Sequence, residues 1–254
     1  MHKMKIEDFI FSHSRDIDSA YIITLPNNSI SCELSKRCAN SCEKVNQKYT
    51  IWHGVDGTKN GEIYFPEHLA NKDYFNWIKI HDNRLTSSQI ACVLSHFSLW
   101  THCLTIDKPI IILEHDAIMI NPLHKFEFYN MIQYLGCIEQ YLGQPQYIIP
   151  PHGSLFDYRY RFICRAHAYA IDPQIAKRLV TKFIEIGLTE TSTADTFIRA
   201  DWFPIIQKGL YAYDLSSAEL STVEELDESW KPAEWKNWKN KWKEKNDKQK
   251  DFHN

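Results

Sequence analysis

Behind Thr86 the apolar residues Ile90, Val93, Leu94, Phe97 and Leu104 recur at helical spacing, and Gln89 stands three residues after the threonine. This predicts a helix opened by a capping box, in which each side chain satisfies the other residue's free backbone N–H. The run PIIIL at 109–113 follows without polar alternation, as expected of a parallel strand covered on both faces. Upstream, 19–27 reads as a strand ending in a Pro-Asn turn, 32–47 as a helix, and 48–57 as a strand closed by Gly-Val-Asp-Gly. Strand, helix, strand is the opening of an α/β sheet. Strands are predicted again at 146–150, 162–172 and 210–215, and a helix at 173–187 with Pro173 in its first position and Gly187 just past its end. No internal repeat is present.

The stretch KPIIILEHDAIMINP, 108–122, puts two acids at the end of the central apolar strand. Residues two apart in an extended chain share a side, so Glu114 and Asp116 are expected to emerge together and His115 to face away. In open α/β sheets the carboxyl edge is where ligands sit. Two carboxylates in such a cleft repel unless something positive lies between them, and Mg2+ or Mn2+ is the simplest candidate. The competing reading is an ordinary acidic loop.

Composition narrows the class. The chain has 254 residues, 44% hydrophobic and 13% aromatic, enough for one large core or two small ones. It has no apolar run of about 18 residues, and Glu7 and Asp8 stand where a signal peptide needs an apolar stretch, which points to a cytoplasmic protein. Seven cysteines in no framework spacing, with no CxxC, are expected to be reduced thiols. The formal net charge of -3 hides a basic end: residues 229–254 carry 8 lysines against 4 acids.

The stretches LTSSQIACVLSHFSLW and IIILEHDAIM resemble the central signature of glycosyltransferase family 25, the lipooligosaccharide and collagen galactosyltransferase type. That family usually reads Leu-Thr, Gly or Ala-Cys, Leu-Ser-His, Trp, then Ile-Leu-Glu-Asp-Asp-Ala. YIITL, GVDG, AHAYAIDPQIAKRLV and TADTFI are similar to further segments of it in order and spacing, over residues 20 to 200. The resemblance implies a GT-A-like, Rossmann-type mixed sheet flanked by helices in one domain, 1–228. It also implies a metal-dependent inverting transfer of a hexose from a nucleotide diphosphate sugar, a UDP-sugar of the galactose or glucose type. Two departures stand out. His115 replaces the middle acid, either as an extra metal ligand or as a residue facing the core, and Pro26-Asn27-Asn28 stands where Asp-Arg often follows the first strand.

On this reading Glu114 and Asp116 hold the metal, and Asp195, with Asp201 as fallback, takes the proton of the acceptor hydroxyl. Asp195 at the start of DTFIRA is equally suited to cap a helix. Leu25 and Asn27 border the donor, and Arg37 either replaces the lost positive charge or is a solvated helix residue. Asp56 either holds the nucleoside or stabilises its turn. Ser95 and His96 brace the acids, touch the donor, or are satisfied core residues.

Residues 229–254 are expected to form a basic helix or tail, with Trp235, Trp238 and Trp242 on one face and lysines beside them. Such a face suits a membrane surface, a nucleic acid, or the protein's own acidic body. The acceptor is accordingly a glycan or lipid-linked glycan such as lipooligosaccharide, or a hydroxylated nucleic-acid base. Two other classes stay open: a silent nucleotide-sugar-binding module of the same fold, and a metal-dependent nucleotidyl or phosphoryl transferase, against which no GxxxxGK loop is found.

Overall fold

A computed structural model describes residues 15–57, 61–81, 85–136, 147–149, 166–189, 193–200, 202–207 and 212–214. The chain divides into a unit spanning 1–215 and a second spanning 216–254. The tail expected at 229–254 lies outside the described residues.

The first unit is built on a mixed seven-stranded sheet. Its strands are β2 (Ala20–Thr24), β3 (Tyr49–His53), β4 (Ile110–Glu114), β7 (Ile132–Tyr134), β8 (Tyr147–Ile149), β9 (Ala168–Ile171) and β10 (Ile205–Gln207), in the order β3-β2-β4-β9-β7-β10-β8. β3, β2 and β4 run parallel, in register from Ala20 opposite Tyr49 and Ile111. β9 then lies antiparallel to both β4 and β7, so the central apolar strand has a parallel neighbour on one side only. Two small antiparallel pairs complete the β structure: β1 (Arg15–Asp16) with β6 (Lys125–Phe126), and β5 (Ala117–Met119) with β11 (Ala212–Asp214).

Strand alternation divides the core into two layers. Ile110 and Ile112 join Tyr21, Ile23 and Tyr169 on one face, while Ile111 and Leu113 join Ala20, Ile22 and Ala168 on the other. The first face is covered by α3 (Ser87–Ile106) and α4 (Pro173–Ile186), the second by α1 (Ser29–Lys44) and β5. α2 (Glu67–Ala70) and α5 (Ala194–Phe197) are single turns. Among the described residues no helix is long and apolar enough to cross a membrane.

The helix ends follow from local chemistry. Thr86 and Gln89 form the expected capping box on α3, with Thr86 N–H donating to Gln89 Oε1 at 2.9 Å and Gln89 N–H to Thr86 Oγ1 at 3.2 Å. Pro173 opens α4 behind Asp172, whose carboxylate accepts from Ile175 N at 2.8 Å. Gly187 closes it at φ 70, a left-handed position where a Cβ would also come 2.4 Å from Lys79 O. α1 starts earlier than its apolar pattern suggests, because Asn28 accepts from Ser31 N at 3.1 Å and caps it. Its inward face carries Ser31, Ser35, Cys38, Ala39 and Cys42, small residues that let the helix approach the sheet closely. Cys32, Cys38, Cys42, Cys92 and Cys103 are free thiols.

Candidate functional site

The site begins where β4 ends. Glu114 is the strand's last residue and stands opposite Ile23 of β2; a turn through His115 and Asp116 then leads into β5. That turn breaks the two-residue alternation, so Glu114, His115 and Asp116 meet three different partners. Glu114 Oε1 meets His96 Nε2 of α3 at 3.0 Å. His115 Nδ1 meets Ser31 Oγ of α1 at 3.2 Å. Asp116 lies in the electrostatic field of Arg37, also on α1.

The contact of Glu114 continues inward. His96 Nδ1 lies 2.9 Å from Tyr169 Oη, and Trp100 Nε1 donates to the same oxygen at 2.8 Å. Burial pushes the Tyr169 phenol well above its ordinary pKa, so it keeps its proton. Trp100 only donates, so the phenol's own proton is directed to His96 Nδ1. With Nδ1 accepting, Nε2 carries a hydrogen and donates it to Glu114. A chain of donors thus runs from the core to one carboxylate oxygen and holds it in place.

Cys92 stands one helical turn before His96. Its Sγ lies within 4.8 Å of a ring nitrogen of His96 and a carboxylate oxygen of Glu114. Sulfur, nitrogen and oxygen donors so close together are a set that zinc takes. The direction of the donor chain argues otherwise, because the His96 nitrogen facing Glu114 is the one that carries hydrogen. Cys92 is exposed on α3, yet desolvation is the largest influence on its thiol. Glu114, Asp195 and Asp116 raise its pKa further, in that order, so the thiol stays protonated.

On the α1 side Ser31 Oγ accepts from Leu25 N at 2.9 Å and is left to donate to His115 Nδ1. Burial lowers the pKa of His115, with Arg37 adding to the effect against Glu114, which keeps the ring neutral. His115 therefore ties the end of β4 to the first turn of α1. Arg37 Nε and Nη2 are shielded from solvent with no hydrogen-bond partner among the described residues. Burial lowers its pKa, and the charge of Asp116 is the largest influence supporting the guanidinium. Asn27 is exposed in the turn before the Asn28 cap.

At the end of β3, Ser95 Oγ accepts from Val55 N at 2.8 Å and donates to Ala91 O at 2.8 Å. Ser95 thus fastens the Gly-Val-Asp-Gly turn to α3 rather than bracing the acids; bracing falls to His96. Asp56 is 4% exposed, and its backbone pairs both ways with Tyr64, at 2.9 and 2.7 Å. Gly57 packs so closely on the first turn of α3 that a Cβ would sit 2.1 Å from Ser87 O.

Asp195 occupies the first turn of α5, but the cap is Thr193, paired with Thr196. Its Oδ1 accepts from Thr193 Oγ1 and, at 3.1 Å, from Thr196 N. α5 rests on α3 through Phe197, whose ring stacks on Trp100 at 5.5 Å. Asp201 lies outside the described residues. The structure therefore gathers Glu114, His96 and Cys92 within 4.8 Å of one another, with Cys92 also in the field of Asp195, Asp116 in that of Arg37, and Ser95 and Asp56 at the end of the neighbouring strand. Cys92 was missed in the sequence, although its i, i+4 spacing to His96 placed it on the same helix face.

A comparison with curated proteins finds no match. A family model described as glycosyltransferase family 25 (LPS biosynthesis protein) matches residues 18–198, a span that runs from the start of β2 through α5 and includes Glu114, Asp116 and Asp195. With that span covering well over half of its length, the chain belongs to glycosyltransferase family 25.

Proposed function

We propose that this glycosyltransferase moves a hexose from a nucleotide diphosphate sugar, of the UDP type, to a glycan hydroxyl with inversion, aided by Mg2+ or Mn2+ at Glu114 and Asp116. The observation that carries this reading is that Glu114, the last residue of β4 and two residues before Asp116, meets His96 at 3.0 Å and has an oxygen within 4.8 Å of Cys92 Sγ. Hard carboxylate oxygens are the donors these ions take, and an ion that keeps some waters needs no fuller protein cage, so the residues fit it. Arg37 already stands beside Asp116, and His96 donates a hydrogen bond to Glu114. When bound, the ion supplies Lewis-acid neutralisation of the departing diphosphate.

The chain's own groups take the remaining roles. Arg37 stands beside Asp116, where its positive charge favours a diphosphate. Asp195 accepts the proton of the acceptor hydroxyl as its oxygen bonds to the anomeric carbon, and the bond from that carbon to the diphosphate breaks with its electron pair leaving on phosphate. His96 holds Glu114 in orientation throughout.

The test is a screen of nucleotide sugars for nucleotide release and transfer, with Mn2+ and with chelator. Asp116→Asn is expected to abolish metal-dependent donor binding while the fold survives. Asp195→Asn is expected to lower transfer on the order of a hundredfold at nearly unchanged donor affinity. Full turnover in chelator would remove the metal from the scheme, and full transfer by Asp195→Asn would remove the base.

A further inference from the structure

The outer face of α4 carries a feature that the donor site does not use. Lys177, Arg178, Lys182 and Glu185 line a groove of about 460 Å3 whose other wall is Trp202 and Phe203. Three cations against one acid is a local excess opposite in sign to the chain's formal net charge of -3. Glu185 meets Lys182 Nζ at 3.3 Å, and the same nitrogen lies 5.7 Å from the centre of the Trp202 ring. Arg199 adds a fourth cation, 4.6 Å over that ring, and Arg178 Nη2 donates to Trp202 O at 3.3 Å. The last contact uses one of five guanidinium donors.

An indole among ammonium and guanidinium groups suits a ligand with two kinds of surface. The C–H face of a pyranose packs on an aromatic ring, and a phosphate or carboxylate on the same sugar meets lysine and the planar fork of arginine. A neutral sugar would not answer the excess of three cations over one acid in the lining. A long polyanion would call for a track of charge, whereas the cations here gather around one indole.

The groove is joined to the candidate site by a single segment. Phe197 contacts Trp202 at 5.4 Å and stacks on Trp100 at 5.5 Å, and Asp195 precedes it by two residues. We propose that the groove binds an acidic sugar, bearing phosphate or carboxylate, in the acceptor glycan. This rests on the transferase reading only in assigning the sugar to the acceptor. The acidic sugar is then a recognition element, and another hydroxyl of the same glycan reacts.

The experiment is calorimetry and saturation-transfer NMR on the full chain, with a hexose 6-phosphate, a hexuronate, the neutral hexose, inorganic phosphate and a single-stranded oligonucleotide as probes. The hexose phosphate and the hexuronate are expected to bind, with saturation at the ring protons, and Lys182→Glu to weaken both tenfold or more. Trp202→Ala is expected to abolish the ring-proton signal, and Lys182→Glu, at a half-buried position on the outer face of α4, covers the case in which that variant does not fold. Donor hydrolysis is expected to be unchanged in Lys182→Glu. Equal binding of the neutral hexose, phosphate binding as tight as hexose phosphate, preference for the oligonucleotide, or no binding at all would each overturn the proposal. Binding of hexose phosphate by a protein that hydrolyses no nucleotide sugar would keep the groove and sink the transferase mechanism instead.

Discussion

Tyr169→Phe deletes one oxygen and leaves the ring, so it isolates the hydrogen-bond chain behind Glu114 from the packing around it. In the wild type that oxygen accepts from Trp100 Nε1 at 2.8 Å and meets His96 Nδ1 at 2.9 Å. Trp100 and Tyr169 are fully buried and His96 is 1% exposed, so water cannot take over either bond. Each orphaned buried group costs about 1 to 3 kcal/mol, and two of them about 2 to 6 kcal/mol. For a domain of this size that corresponds to a drop in Tm on the order of 10 °C. Urea unfolding is the assay, read as a shift in midpoint at constant slope so that the denatured state is not the source of the change. A second readout follows from function: with Glu114 less firmly held, kcat for donor turnover should fall more than KM changes. A midpoint within error of the wild type would refute the donor chain, because no repacking can satisfy an indole N–H inside a sealed apolar layer.

Two further outcomes are expected. His68 and His102 flank the Trp52 ring at 4.7 and 4.8 Å, and both have pKa values lowered from 6.5 chiefly by burial, so the unfolded chain takes protons that the fold refuses; stability is then full above about pH 7 and falls as pH drops below the unfolded value, and an urea midpoint unchanged between pH 7.5 and 5.5 would contradict this. Gly57→Ala sets a methyl group against backbone, 2.1 Å from Ser87 O, and should cost about 2 kcal/mol or more in the same assay, whereas wild-type stability would mean that the α3 N-terminus yields freely.

The parts of the fold legible in the sequence are those whose signal is local. Thr86 with Gln89, Pro173 with Gly187, and the unbroken run before Glu114 each carry their own explanation within a few residues. Ile132–Tyr134 and Ile205–Gln207 do not: three residues are too few to show a period, and both strands are fixed by pairing with β9, β8 and each other. The antiparallel insertion of β9 beside β4 was equally invisible, since an apolar strand buried on both faces looks the same in either direction. The start of α1 was legible in principle, because Asn28 is a good cap; it was hidden by reading Pro26-Asn27-Asn28 only as a departure from the family's usual Asp-Arg. In the site, Glu114, Asp116, His96 and Asp195 were marked by residue type and resemblance. Their partners Tyr169 and Cys92 were not, because a tyrosine or cysteine acquires meaning only from what the fold places against it.

The same distinction bears on the histidine at the middle of Glu-His-Asp. Alternation along a strand would have turned it away from both acids and into the core, and on that basis a change from acid to imidazole would look like damage to the centre or a new ligand. The turn at 115–116 changes the question. His115 is set against Ser31, whose oxygen also receives Leu25 N, so it fastens β4 to the first turn of α1. Burial keeps it neutral there, which suits a position that already has Arg37 nearby. Glu114 is held from the opposite side by α3, and Asp195 approaches through α5, also on the α3 side. Asp116 acts on both Arg37 of α1 and Cys92 of α3. The middle residue therefore acts on the helix that carries Arg37, while Glu114 is tied to α3 and Asp116 lies in the field of Arg37.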